Sequence, residues 1–214
     1  MNIDELYDIA DRAVKEEELR AKEIPNIDLY VDQIINLVAE KNEQSSERYR
    51  DRQLTKTMIN NYSKDGLITP VKGKKYNREQ VVQILSIYTL KNTLSMGEIK
   101  RLLDGAYAIE GYDGDALAET YDRYIAIKND NREYSKKILG ELVKKNGLDT
   151  GDEKDFMLIV GSLLSLSAFL RNTAQELINV KYPIVEELPE KEKPKKEKKK
   201  RRSSEKDGGE QTAE

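Results

Sequence analysis

The sequence contains neither cysteine nor histidine. Disulfide bonds, zinc fingers, thiolate metal sensing and Cys or His catalysis are therefore excluded, because each of them needs one of these side chains. The first 20 residues are acidic and lack the apolar run of a secretory signal, so we expect no such signal. Together with the absence of cysteine, this favours a cytoplasmic protein.

The sequence also lacks the motifs on which many enzymes depend. It has no glycine-rich phosphate loop and no nucleophile elbow. Its aspartates between Asp113 and Asp152 do not have the spacing of a calcium loop. We therefore predict no metal site, no cofactor and no catalytic residues, and we expect a protein that is not an enzyme.

Charge is abundant and unevenly distributed along the chain. Asp, Glu, Lys and Arg make up 36% of the 214 residues, against about 25% in typical proteins. Residues 186–214 have almost no apolar side chains, so they cannot offset the entropy lost on ordering and are predicted to form a disordered charged tail. Within it, residues 193–202 hold eight basic residues and one acid. We expect this basic block to assist binding to nucleic acid.

The remaining residues, 1–185, have a helical apolar period nearly throughout. The one exception is a short strand pair expected between Ile68 and Tyr76, so the prediction is an all-α fold. Residues 27–42 place their apolar side chains on one face of a helix, which Asn26 would cap. The polar residues 43–53 then predict a loop.

Capping signals mark three short helices after this loop. Thr55 is predicted to cap the first of them, and Gly66 stands where its left-handed terminal residue belongs. Asn77 opens the second helix. Ser95 and Glu98 form a capping box at the start of the third.

Three further helices are predicted beyond Gly105, over residues 116–128, 133–145 and 153–182. The last of them contains an uncharged run of 15 residues, Phe156–Leu170. A membrane span needs about 20 apolar residues. We therefore expect a buried helix and no contact with a membrane.

Small residues on this last helix leave two arrangements open. Gly161, Ser165 and Ala168 lie on one side of the helix and would let another helix approach closely. That second helix could come from a partner copy, giving a homodimer through residues 153–180. Alternatively, the helix packs in an intramolecular bundle with Leu117, Tyr121, Tyr124, Ile125, Ile138 and Leu142.

The stretch from Leu54 to Leu103 carries a family resemblance. It contains LTKTMINNYSKDGLI, then a short Gly-containing turn ending at Tyr76, then a helix from Asn77, and finally LKNTLSMGEIKRLL. In this order the segments resemble the recognition helix, the shortened wing, the helix behind the wing and the closing helix of the MerR-like winged helix-turn-helix superfamily of bacterial regulators. With the preceding IPNIDLYVDQI, they also resemble an uncharacterised bacterial domain-of-unknown-function family with the patterns LYxDQ and LTKTMINNYxKD.

The MerR-like resemblance implies a domain organisation and a function. Residues 24–104 would form the DNA-binding domain, after an N-terminal acidic helical segment at 1–23. Residues 105–185 would form a C-terminal helical region, and the tail would follow. MerR-like regulators bind duplex DNA, regulate transcription and dimerise through a helix beyond the DNA-binding domain. The resemblance thus implies a transcriptional regulator that is a homodimer through its C-terminal helices.

Local charge agrees with this expectation. Between Arg48 and Arg78 the chain has nine basic residues and two acids, whereas residues 1–185 together have a net charge of −4. Lysines on the recognition helix and wing can reach phosphate oxygens, and the two asparagines can read adenine edges. The predicted DNA-binding residues are Thr55, Lys56, Thr57, Asn60, Asn61, Tyr62, Lys64, Lys72, Lys74, Lys75 and Tyr76. The predicted auxiliary phosphate contacts are Arg48, Arg50, Arg52 and Arg78.

Two features differ from a typical MerR-like motif. The polar loop of residues 43–53 separates the first helix from the recognition helix, and Asn60 and Asn61 replace the usual Arg-Tyr pair. The alternative is therefore a non-enzymatic protein-protein interaction or scaffold protein, which keeps the helical fold without sequence-specific DNA binding. An open basic face would favour DNA binding, and a face covered by the C-terminal helices would favour the alternative.

Overall fold

The structure is a computed structural model that describes residues 1–184, and these residues are mostly helical, as predicted. The predicted tail, residues 186–214, lies outside the described residues. The helices are α1 Ile3–Val14, α2 Val31–Asn42, α3 Glu47–Arg50, α4 Lys56–Lys64, α5 Arg78–Leu90, α6 Met96–Tyr107, α7 Gly114–Asn146 and α8 Glu153–Lys181. A 3-10 turn covers Ala21–Glu23, and the strands are β1 Leu29–Tyr30 and β2 Lys75–Tyr76.

The predicted caps of α4, α5 and α6 are confirmed. Thr55, Asn77 and Ser95 each accept a hydrogen bond from the backbone N–H three residues later in the chain. Each bond satisfies one donor of the first turn that has no partner within its helix. Gly66 follows α4 with φ of 66°, a left-handed conformation that glycine adopts without strain.

The start of α2 differs from the prediction. Residues 28–30 are not helical, because β1 pairs with β2 in an antiparallel ladder that places Leu29 opposite Tyr76. As a result, α2 begins at Val31 and not after Asn26. The strand pair predicted within residues 68–76 is also wrong, since the partner of β2 lies far earlier in the chain. A partner distant in sequence overrides a local helical period here.

α7 is one unbroken helix of 33 residues where two helices were predicted. Contacts with the segment after α1 lie at the polar stretch that suggested a break. Lys128 donates hydrogen bonds to the carboxylates of Glu16 and Glu18, and Arg132 donates to Glu18 at 3.0 Å. The polar side chains of α7 thus bind this segment and do not end the helix.

The main core surrounds α5, which is the most enclosed helix of the described residues. Every residue from Gln80 to Ile87 is buried. α2, α4, α6 and the first half of α7 supply the other buried side chains. A second, smaller core joins α1, the end of α7 and α8 through Leu6, Leu139, Val143 and Ile159.

The prediction that α8 is buried was wrong. Ile159 and Ile178 are its only buried residues, and Leu164 remains 66% exposed. Within residues 1–184, α8 is the one helix long and apolar enough to cross a membrane. The expected bundle also differs, since Leu117, Tyr121 and Ile125 of α7 lie in the main core and not in the cluster that contains α8.

Candidate nucleic-acid interface

α4 exposes a polar face because its apolar side points into the main core. Ile59 and Tyr62 are buried, with exposed fractions of 0% and 3%. The other side of the helix is open to solvent. Its exposed residues are Lys56, Thr57, Asn60, Asn61, Ser63 and Lys64.

An open cleft of about 1190 Å³ lies between α4 and the loop that leads to β2. Lys56, Asn60 and Lys64 line it from α4, and Lys74 lines it from the loop. Further walls come from the start of α2 and from α6, where Asp104 is one of the lining residues. The cleft therefore brings together basic side chains that are separated in sequence by the turn at the end of α4.

Two buried glutamines of α5 hold the loop in place. The Gln83 carbonyl accepts a hydrogen bond from the Thr69 backbone N–H at 3.0 Å, and its amide donates to the Tyr107 hydroxyl at 2.6 Å. The Gln80 amide donates to the carbonyls of Thr69 and Pro70, each at 3.1 Å. The sequence analysis assigned these glutamines no role. The available signal was the position of Gln83 between two apolar pairs in VVQIL.

The lysines of the cleft are available to a ligand. Among residues 1–184, Lys56, Lys64, Lys72 and Lys74 take part in no ion pair. Lys75 lies over the ring of Tyr30, with its ammonium 5.0 Å from the ring centroid. Their positive charge is therefore not neutralised by nearby carboxylates of the described chain.

Two of the predicted contact residues are part of the core. Tyr62 and Tyr76 are only 3% and 8% exposed, so the prediction that they contact DNA is corrected. Burial raises the pKa of Tyr62 to about 12. The Tyr62 hydroxyl has no hydrogen-bond partner among the described residues. The nine other predicted residues are exposed: Thr55, Lys56, Thr57, Asn60, Asn61, Lys64, Lys72, Lys74 and Lys75.

The four auxiliary arginines do not share one surface with the cleft lysines. Arg48 and Arg50 are exposed on α3, and Arg50 lines a separate cavity beside α2. The Arg52 guanidinium lies over the ring of Tyr49, at 5.5 Å from its centroid. None of these three arginines lines the cleft of α4.

Arg78 makes contacts within the chain. Its guanidinium donates to the Asp115 carboxylate at 3.4 Å and to the Ala21 carbonyl at 3.3 Å. These bonds connect the start of α5 to α7 and to the 3-10 turn. The prediction that Arg78 contacts phosphate is corrected, because its donors already serve the fold.

The segment that builds the cleft matches a known family model. The match covers residues 19–124 and is to a domain of unknown function, DUF1836. Residues 19–124 form a DUF1836 domain. It begins between α1 and the 3-10 turn and ends within α7, so it contains α4, the loop and every predicted contact residue. The predicted relation to an uncharacterised domain family is thus confirmed. No curated protein and no solved structure matches the chain.

Proposed function

We propose that this protein binds duplex DNA through α4 and the adjacent loop of its DUF1836 domain, and that it regulates transcription. One observation carries the proposal: the basic and amide side chains of this face are exposed and are not covered by the C-terminal helices. They are Lys56, Asn60, Asn61, Lys64, Lys74 and Lys75. A cytoplasmic location is part of the same proposal.

The order of elements supports a MerR-like motif. α2 and α4 stand as the two helices of the motif, with α4 as the recognition helix. The loop and β2 stand as a shortened wing, and α5 and α6 follow it as in the segment that the sequence resembles. The helical turn of α3 occupies the longer connection between the two helices of the motif.

The chemistry of the face suits duplex DNA. α4 has nine residues and is about 14 Å long, and the major groove is about 12 Å wide, so the helix can lie in it. Lysine ammonium groups contact phosphate oxygens, which position a protein without reading sequence. Asn60 and Asn61 each offer a donor and an acceptor, the pair that reads an adenine edge. A wrong base opposite a bidentate asparagine costs about 1–3 kcal/mol.

Salt dependence of binding tests this proposal. We expect the full chain to bind a random-sequence duplex pool in fluorescence anisotropy. If about six basic groups contact phosphate, the slope of log affinity against log salt is roughly −5. Sequencing of the retained duplexes then shows whether one sequence is enriched, as expected for a regulator.

Single substitutions assign the binding to this face. Lys64→Ala should weaken binding to all sequences and reduce the salt slope by about 1, because one phosphate contact is lost. Lys137→Ala is the matched control, since Lys137 is an exposed lysine of α7 outside the cleft. Absence of binding at low salt, or binding that does not depend on salt, would reject DNA binding in favour of a protein-protein interaction role.

A further inference from the structure

An apolar seam runs along the exposed side of α8. We define the α8 seam as Met157, Gly161, Leu164 and Ala168, which follow one another at spacings of four, three and four residues. This spacing places all four on one face of a helix. Met157 is 74% exposed and Leu164 is 66% exposed.

The chain covers other faces of α8 but leaves the seam open. In its first half, α8 packs on α1 and α7 through Ile159 and Leu163. Near its end, Arg101 of α6 donates to the Asn179 side chain at 2.9 Å and to the Tyr182 carbonyl at 2.8 Å. The helix is therefore fixed at both ends, while the middle of its outer face has no neighbour among residues 1–184.

We propose that the α8 seam pairs with the α8 seam of a second copy in an antiparallel arrangement. The seam alternates large and small side chains, so a leucine or methionine of one helix can enter the gap at a glycine or alanine of the other. A β-carbon at Gly161 would meet no described atom within 4 Å. Gly161 thus leaves a gap on the surface that nothing in the described chain fills.

The exposed area matches what a stable pair of subunits needs. Between residues 156 and 170, seven apolar side chains are exposed to between 39% and 74%. At about 150–250 Å² for a large apolar residue, they leave on the order of 700 Å² uncovered. A standard interface buries about 800 Å² on each partner. Monomeric proteins rarely expose more than a few hundred Å² in one apolar patch.

Charge at the ends of the seam favours the antiparallel orientation. If the two helices cross between Gly161 and Leu164, Arg171 of one copy comes opposite the acidic first turn of the other, where Glu153 lies on the seam side. In a parallel pair, Arg171 would face Arg171. The antiparallel pair gains two opposite-charge contacts by symmetry, and the parallel pair brings like charges together.

The same helix is poorly suited to a membrane. Its uncharged run of 15 residues spans about 22 Å, which is short of the hydrocarbon thickness of about 30 Å. Insertion would also separate Ile159 from the second core and break the contacts of Arg101. A second protein copy covers the seam without either loss.

Sedimentation velocity of the full chain tests the pairing without DNA. We expect a dimer at micromolar concentration, and we expect Leu164→Lys to weaken dimerisation by at least about 100-fold, since each substitution enters a symmetric interface twice. Ile109→Lys is the matched control, because Ile109 is an exposed apolar residue outside α8. A monomeric wild-type chain at micromolar concentration, or a Leu164→Lys variant that dimerises normally, overturns the proposal.

Gly161→Leu separates a second copy from a membrane. Leucine favours the helix and finds free space within one chain, so the variant should fold. It fills the gap that the partner helix needs and should weaken the dimer about as strongly as Leu164→Lys. If α8 served a membrane, the added apolar side chain would instead strengthen flotation with vesicles of phosphatidylcholine and phosphatidylglycerol. Flotation of the wild-type chain with such vesicles overturns the proposal.

A charge exchange tests the orientation. Arg171→Glu should weaken the dimer, and the double variant Glu153→Arg with Arg171→Glu should restore it, because the same opposite charges meet with their positions exchanged. Failure of this rescue overturns the antiparallel pair. All of these measurements are made without DNA, so they can fail while the proposed DNA binding holds, and the reverse is also true.

Discussion

Gln83→Met is the most informative single change, because Gln83 connects the core to the basic loop. Methionine keeps the length of the side chain and its apolar stem. It removes the acceptor of the Thr69 N–H and the donor to the Tyr107 hydroxyl. Tyr107 keeps a partner, since its hydroxyl also donates to Glu79 at 3.2 Å. The main loss is therefore at Thr69.

The expected cost follows from these bonds. Each hydrogen bond contributes about 1 kcal/mol net, and part of the loss is offset because a polar amide is no longer buried. We expect the free energy of unfolding to fall by about 1–2 kcal/mol, which lowers the melting temperature by roughly 2–8 °C for a chain of this size. DNA affinity should also fall, because Lys72 and Lys74 lie on the loop that Gln83 holds.

Urea denaturation followed by circular dichroism measures the stability change. The midpoint should move to lower urea with an unchanged m-value. Ser86→Ala is the matched control on the same helix, because its hydroxyl bonds only to the Val82 carbonyl one turn earlier. An unchanged midpoint for Gln83→Met would refute the conclusion that this glutamine holds the loop.

Two further predictions concern stability. Tyr62→Phe should stabilise the protein by about 1 kcal/mol in urea denaturation, because it removes a buried hydroxyl without a partner; a loss of stability would contradict this. Burial lowers the pKa of Lys128, but hydrogen bonds to Glu16 and Glu18 outweigh it and raise the pKa above 10.5. The stability that Lys128 contributes is therefore complete below about pH 10.5 and is lost as pH rises through its higher folded-state pKa. Lys128→Met should cost about 2 kcal/mol at pH 7 and flatten this alkaline loss, and an unchanged stability profile from pH 9 to 12 would reject the assignment.

Local signals predicted the centre of the DUF1836 domain well. The caps at Thr55, Asn77 and Ser95 and the glycine at Gly66 act within one helical turn, so the residues that determine them are adjacent in the sequence. For the same reason, the exposed lysines of α4 and the loop could be identified. Their apolar neighbours fix which face of the helix is buried.

The errors concern contacts between distant parts of the chain. Leu29 is in a strand because β2 lies beside it, and Arg78 is committed because Asp115 of α7 reaches it. No local pattern carries this information. Periodicity showed that α8 has apolar faces but not what covers them, and the assumption that the same chain does so was wrong.

The continuity of α7 restricts how the length of this protein can vary. The DUF1836 match ends at Tyr124, and the helix continues without a break to Asn146. One residue inserted between these points would turn everything after it by about 100° and shift it by 1.5 Å. Insertions of seven residues nearly restore the original phase, whereas single insertions would move α8 out of alignment with α6. Chains that share this design should therefore differ in α7 by whole helical repeats and place irregular insertions in their loops.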